Sequence, residues 1–506
     1  MSKGKKIALI VAIVAVVVIV GLAIIIPALL NVDRYRPQVI AQIQRETGKP
    51  AQIGRLDLTI LPRVAIRVDD FSLGNPAGFP TGDFVKAKKI EAVINASALW
   101  NHKVEITSLE LDDLAVNMLE DAHSKWNFEN PPSSSAPPAN PQKEGSASFT
   151  LGVISKLTIV RGDFAAASLL ASGAPGPALM EVHGARINLH DVNFDALASA
   201  SLRSPASPPG ELARLSSWFG TIAYAAGPEG PPVAHGDIRS DSLQLGTLVV
   251  TKLDSKFRLF PKQAFLDDLK LKCYGGSVTG NFSLDFGAAN LAYTVDAKLK
   301  GVNVADLLNA FPQARGMMTG TMEGSAMMQG QVTHSSDPLA GITGSGQTIV
   351  RNGQMPSLQL GSNLRSLTKM ANVGPAGGDP SSFSSLSADF RIANDRLSNN
   401  KIALVGNGME VDASGSMTMA GEGSLDYQGD ASLATNGTNP LATVMGGLAG
   451  AKMANGKLIF PFTVGGTLAK PKFSVKSSAT EAGALPKAAA QAPVKTVRGL
   501  SGLLKK

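Results

Sequence analysis

Cysteine is nearly absent from this chain of 506 residues; Cys273 stands alone. No intrachain disulfide can form, so packing and ladder hydrogen bonds must hold the fold in any redox compartment. Cys273 lies in a strand-like stretch and reads as a small apolar filler. Aromatic residues make up 5% of the chain, too few to fill a large closed core. Histidine occurs six times, at 102, 123, 183, 190, 235 and 334. None forms H-E-x-x-H or stands at metal-ligand spacing from the cysteine, so no metal site is expected. The phosphate-cradling G-x-x-x-x-G-K-[ST] is missing. Ser366-Leu367-Thr368-Lys369 matches S-x-x-K but lacks the S-D-N and K-T-G companions of acyl-transfer enzymes, and its spacing fits helix packing equally well. The acid pairs Asp69-Asp70, Asp112-Asp113 and Asp267-Asp268 read as solvated turn residues at strand ends rather than as acid/base pairs. The chain is therefore not expected to be an enzyme or to hold a cofactor.

The charge of +7 points to nucleic acid only until it is located. Three lysines fall in residues 1–6, and five cations with no acid fall in residues 482–506, leaving the body close to neutral. No basic face interleaved with aromatics is present, so no nucleic-acid partner is expected. The positive tips suit anionic membrane surfaces. At the C-terminus they suit a solubilising tail equally well.

Residues Ile7 to Leu30 are 24 in a row without a charge. As a helix they reach roughly 36 Å, against about 30 Å of hydrocarbon. A cleaved signal peptide is the competing reading, but its apolar region is shorter and ends at small residues that are missing here. An uncleaved anchor is expected. Cations flank it on both sides, and the short leader with Lys3, Lys5 and Lys6 assigns the N-terminus to the cytoplasm.

Val32 to Thr47 reads as a short amphipathic helix, with Pro37 early and Gly48 as its stop. Strand patterns follow. Leu56, Leu58 and Ile60 alternate with polar neighbours, Pro62-Arg63 makes a turn, and Val64, Ile66 and Val68 alternate again. Further runs are Lys86–Ile94, Val104–Leu111, Leu114–Leu119, Thr150–Val160, Glu181–Phe194, Asp241–Val250, Thr251–Phe260 and Phe265–Phe286. Period-2 patterning with one apolar face predicts half-buried antiparallel strands. Asn130–Ser148 is a Pro/Ser/Ala linker. Two helical pieces are expected at Leu212–Ala225 and Ser357–Ala371. Leu266–Phe286 and Leu397–Tyr427 form a weak internal repeat, each a hairpin about a glycine turn. A sheet with one greasy face needs a second sheet, its own curl or a ligand to cover it.

Two stretches carry a resemblance. Asn31–Asn75 (NVDRYRPQVIAQIQRETGKPAQIGRLDLTILPRVAIRVDDFSLGN) resembles the N-terminal module of the AsmA family of Gram-negative bacteria, and Phe84–Leu119 continues the match. Gly406–Tyr427 and Gly456–Phe473 (GKLIFPFTVGGTLAKPKF) are similar to the family's C-terminal region, most specifically at Pro461–Leu468 with Lys470-Pro471. The resemblance implies a mainly β fold: an elongated, curled antiparallel β-sheet groove with one N-terminal transmembrane helix and a few short helices. Roughly 25 strands at about 4.8 Å each would give a groove of about 120 Å. It further implies an inner-membrane protein projecting into the periplasm and carrying phospholipids toward the outer membrane, with an N-terminal part similar to the chorein-like end of bridge-like lipid transfer proteins. Its motifs are structural, so no catalytic residue carries over.

The expected organisation is a leader (1–6), an anchor (7–30), a chorein-like β module (31–129), the linker (130–148), a middle groove region (149–345), a C-terminal β region (346–475) and a basic amphipathic tail (476–506). The groove is expected to be lined by Leu56, Leu58, Ile60, Val64, Ile66, Val68, Leu109, Leu111, Leu269, Leu271, Phe282 and Leu284. At the tip, Val497, Leu500, Leu503 and Leu504 share one helical face, with Lys505 and Lys506 on the other side. Expected partners are phospholipids, the inner membrane and, at the far end, the outer membrane or a protein there. The rival reading is an assembly factor or scaffold that binds client strands at a sheet edge.

Overall fold

The computed structural model describes residues 32–95, 105–123, 125–128, 153–193, 196, 230–285, 292–331, 341–356, 381–406, 409–419, 421–434, 452–468 and 470–475. The expected anchor, the Pro/Ser linker, S-x-x-K, the two helical pieces expected at 212–225 and 357–371, and the tail with Val497 to Lys506 lie outside the described residues. The fold is mainly β. The chain divides into two units, Met1–Val302 with Ser325–Ile342, and Asn303–Gly324 with Thr343–Lys506.

The first unit opens with a 3-10 turn at Val32–Tyr35 and a helix at Arg36–Thr47. Pro37 suits the helix's first turn, and Gly48, in the left-handed region at φ +66°, returns its N–H to the Gln44 carbonyl. Twelve strands follow: β1 (Ala51–Gln52), β2 (Arg55–Thr59), β3 (Ala65–Gly74), β4 (Asp83–Ile94), β5 (Ile106–Glu120), β6 (Val153–Leu169), β7 (Pro175–Asn193), β8 (Ala234–Leu245), β9 (Leu248–Leu259), β10 (Gln263–Cys273), β11 (Gly276–Asp285) and β12 (Ala292–Asn303). β1 and β2 both pair with β3, and from there each strand pairs with the next up to β12. β13 (Thr321–Gln331) carries residues of both units.

Four expectations need correction. From Ile106 on, the runs expected at Val104–Leu111 and Leu114–Leu119 are one strand, β5, in which Asp113 takes a left-handed φ of +51° without ending the ladder. Asp69-Asp70 and Asp267-Asp268 likewise lie within β3 and β10, not at strand ends. β5 and β6 run parallel, from Ser108 opposite Lys156 to Glu120 opposite Ser168. The linker between them is the long crossover that a parallel pair requires, so it joins neighbours in one ladder. Finally, Asp241–Val250 and Thr251–Phe260 straddle the true hairpin, whose turn is Gly246-Thr247 with Gly246 at φ +56°. Ile60 and Val64 lie just outside β2 and β3.

The second unit is a ladder of β14 (Thr343–Gln354), β15 (Ser382–Ala393), β16 (Arg396–Gly406), β17 (Met409–Thr418), β18 (Leu425–Ala434), β20 (Lys457–Gly466) and β21 (Pro471–Val475), with the short β19 (Lys452–Ala454) also on β20. In β20 burial alternates strictly: Leu458, Phe460, Phe462 and Val464 are buried. They meet Val350, Phe383, Leu404, Val411 and Ala431 in one core. The helix Val304–Asn309 packs Val304 and Leu308 onto it. Asn303 caps that helix, its side-chain oxygen accepting from the Asp306 N–H at 3.2 Å. Pro461 falls between β19, which pairs through Ile459, and β21, which pairs from Phe462, where its missing donor disrupts no ladder on that side.

The internal repeat has a geometric basis. β10–β11 shifts register between Leu266 and Leu269, opposite Phe282 and Gly280; β16–β17 does so between Asn399 and Ile402, opposite Gly415 and Ala413. Both glycines are forced by close approach. A Cβ would stand 1.8 Å from the Asp296 carbonyl oxygen at Gly280 and 2.3 Å from that of Asp426 at Gly415. The repeat stops there. Leu284-Asp285 closes β11, whereas Leu425-Asp426 opens β18, the next strand along.

An uninterrupted apolar face in the first unit

Residues directly opposite in a ladder share a face, so register alone assigns the sides of the first unit. One cross-strand row reads Leu58, Ile66, Ala92, Leu109, Leu157, Leu189, Gly236, Phe257, Leu266, Phe282 and Val295. At about 4.8 Å per strand it runs on the order of 50 Å. A parallel row reads Leu56, Val68, Ile90, Leu111, Ile159, Ile187 and Ile238. The opposite face carries Arg67, Glu91, Glu110, Thr158, Asn188 and Asp237 in the matching positions.

The bulges keep this face continuous. Val68-Asp69-Asp70-Phe71, Leu111-Asp112-Asp113-Leu114 and Leu266-Asp267-Asp268-Leu269 each place two acids between apolar residues. In a regular strand the flanking pair would point to opposite sides, because the side-chain period is two. Asp70, Asp113 and Asp268 take φ of +52°, +51° and +52°, a conformation that Asp tolerates better than most residues. At Asp268 the extra residue stands against β11 as a bulge, whereas across Asp70 and Asp113 the paired strands take the same three-residue step, from Ile90 to Ala87 on β4 and from Ile159 to Gly162 on β6, so these strands change phase together. The packing follows. Ala87, Leu114 and Ile159 form one buried cluster, with Ile90 and Leu111 from one side of the bulges and Val85, Val116 and Phe164 from the other. On β11, Val278, Gly280 and Phe282 alternate regularly while pairing with Leu271, Leu269 and Leu266.

Of the twelve expected lining residues, register thus places Leu56, Leu58, Ile66, Val68, Leu109, Leu111, Leu269, Leu271, Phe282 and Leu284 on one face. Apart from Leu56, these ten are half-buried rather than sealed. Sequence reasoning missed Leu157, Ile159, Ile187, Leu189, Ile238 and Phe257, although the same alternation marks their strands. It missed Leu114 because the Asp-Asp break hid its phase.

Beside the bulges the polar face is stitched across five successive strand pairs. Arg161 meets Asp113 at 2.8 Å, His183 meets Asp163 at 3.4 Å and Arg186 meets Asp241 at 3.0 Å; Arg239 meets Asp254 at 3.0 Å and Lys256 meets Asp268 at 3.7 Å. Exposed pairs of this kind contribute about 0–1 kcal/mol each, so the row aligns strands more than it stabilises them. Arg258 is held more firmly, 2.5 Å from Asp267 and 4.9 Å above the Phe265 ring; the hydrogen bond to Asp267 raises its pKa. Burial pushes the Cys273 thiol up.

The outer edge of β1 and β2 is covered. The Arg36 guanidinium donates to the Gly54 carbonyl, Asp33 accepts from the Leu56 N–H at 3.1 Å and Gln44 donates to the Ala51 carbonyl at 3.4 Å. Among the described residues no three His, Cys, Asp or Glu side chains gather as a metal site, and no helix is long and apolar enough to cross a membrane.

These features define a β-ladder protein with a broad apolar strand face. The AsmA family profile matches residues 1–161 and 233–402, and the chain belongs to the AsmA family. No curated protein and no solved structure matches it.

Proposed function

We propose that this chain is a non-enzymatic, inner-membrane-anchored periplasmic protein whose apolar strand face carries phospholipids from the inner toward the outer membrane. The observation behind the reading is the row from Leu58 to Val295, which contains no charged residue. Acyl chains on such a face avoid water at roughly 0.8 kcal/mol per buried CH₂. A lining of aliphatic side chains offers no fixed polar partner and lets a chain slide. Family membership and the uncharged run at residues 7–30 support the membrane setting. The edge-binding alternative is weakened where Arg36, Asp33 and Gln44 already occupy the backbone groups of β1, β2 and the Gly54 link between them. Native mass spectrometry of the detergent-extracted full chain tests the proposal. Phospholipid bound at defined stoichiometry is expected; a lipid-free protein would contradict it.

A further inference from the structure

Lys49 is the one buried cation among the described residues, 3% exposed. It follows the helix cap Gly48 and precedes β1. The ladder extends back to Pro50, whose carbonyl accepts from the Gly74 N–H at 2.7 Å. Ala51, opposite Leu73, and Ile53 are buried. Lys49 lies two residues before Ala51, in the bend that leads from the helix into β1, and its side chain is buried there. Its ammonium stands 5.8 Å from the Phe84 ring centroid. Lys125 is near enough that its charge, after burial, lowers the Lys49 pKa.

Neither lysine has a carboxylate within ion-pair distance among the described residues. Asp121 accepts from the backbone N–H of Lys125 at 2.9 Å, and the Glu120 carboxylate accepts from the Ser168 hydroxyl at 3.1 Å. Next in the chain, Trp126 bridges back to Glu120 and stacks on Phe128 at 5.6 Å. Phe128 is 47% exposed. Two neighbouring cations with no ion pair among the described residues, Lys125 with only the more distant charge of Asp121 beside it, thus meet an aromatic pair and the end of an apolar face at one corner of the first unit. An anion with an apolar body completes that set: a desolvated ammonium gains most from an anionic hydrogen-bond acceptor, and the face supplies the rest.

We infer that Lys49 and Lys125 receive the phosphate group of a phospholipid whose acyl chains lie on the adjoining apolar face, with Trp126 and Phe128 at its rim. The inference rests on the lipid-carrying reading above and adds a headgroup site to it. Free phosphate shares the headgroup's chemistry, but only a lipid uses the apolar face as well.

The test uses the detergent-extracted full chain with short-chain phosphatidylglycerol, diacylglycerol of the same chain length and inorganic phosphate as separate probes. Lys49→Gln and Lys125→Ala should each weaken phosphatidylglycerol binding about tenfold, leave diacylglycerol binding unchanged, and be mimicked by neither charge-preserving Lys49→Arg nor Lys125→Arg. Lys125 lies in a short loop, so its variants keep the test alive if Lys49→Gln fails to fold. Phosphatidylglycerol bound equally by parent and neutral variants would overturn the headgroup site alone. Inorganic phosphate competing fully with the lipid at matched concentration would overturn the lipid assignment in favour of free phosphate. A parent chain that binds no lipid of any kind would overturn the carrying function itself.

Discussion

Leu111 and Leu114 stand on the same side of one strand although they are three positions apart, because Asp113 between them takes a left-handed backbone at φ +51°. The same device recurs at Asp70 and Asp268. A strand long enough to need a bulge can therefore keep one continuous apolar face.

The conformation at Asp113 makes a stability prediction. Asp113→Val should lose about 1–2 kcal/mol more than Asp113→Gly, since a β-branched residue is strained at positive φ and glycine is not. Both variants lose the ion pair to Arg161, so it cancels in the comparison. Chemical denaturation checks the difference; equal midpoints would mean that the bulge is not there.

The two units should respond differently to core substitutions. Phe460 is 2% exposed within a sealed cluster, and Phe460→Ala should cost about 3–5 kcal/mol. Leu271 is half-buried on the apolar face, and Leu271→Ala should cost only about 1 kcal/mol. Leu271→Asp and Ile66→Asp should leave the fold intact while blocking lipid passage, since the carboxylate is not sealed in a dry core. Circular dichroism paired with a lipid-transfer assay separates the two effects. Unfolding of Ile66→Asp would show that the face is closed.

Much of this was legible from residue order. Alternation gave the apolar phase of β2, β3, β10 and β11, and Pro37 with Gly48 bounded the first helix. The Asp-Asp bulges were not legible as bulges. Two acids of low β-propensity that break the alternation by one residue look like a turn; β11, running on without a break beside β10, shows otherwise at Asp267-Asp268, and at Asp112-Asp113 the paired strands β4 and β6 take the same three-residue step. Nor was the direction of β6. A crossover of some thirty residues reaches either end of a strand, so linker composition cannot distinguish parallel from antiparallel return. The helix Val304–Asn309 is too short to show a period; only its Asn303 cap marks it in the sequence.

In the second unit, the Tyr427 hydroxyl donates to Asn399 Oδ1 at 2.9 Å, and Asn399 Nδ2 donates to the Asp389 carbonyl at 2.5 Å, tying down the β16 bulge. Burial pushes the Tyr427 pKa from 10.0 up to about 12. A raised folded-state pKa lends stability that is full below the unfolded value and lost as pH rises through the folded one. Stability should therefore fall between pH 10 and about 12, and Tyr427→Phe should remove that slope while costing about 1 kcal/mol at neutral pH. Denaturation across this range checks both; an unchanged alkaline slope in the variant would refute the assignment.

The C-terminal segment Val494–Lys506 has Gly499 and Gly502 among its apolar and basic residues, each costing about 1 kcal/mol of helix propensity. The 13-residue peptide should be unstructured in buffer and turn helical on anionic vesicles. Circular dichroism decides it. A random-coil spectrum with vesicles present would argue against a membrane-binding tip and for a solubilising tail.

The proposal that one apolar face, kept in phase at its acid pairs, carries lipid makes a positional prediction. Site-by-site photo-crosslinking along β5 tests it most directly. With the probe at successive positions from 107 to 118, phospholipid labelling should alternate, with maxima at 109, 111, 114, 116 and 118, slipping by one residue across Asp112-Asp113. Labelling that keeps an unbroken period of two through the acid pair, or that falls equally on both phases, would contradict the account.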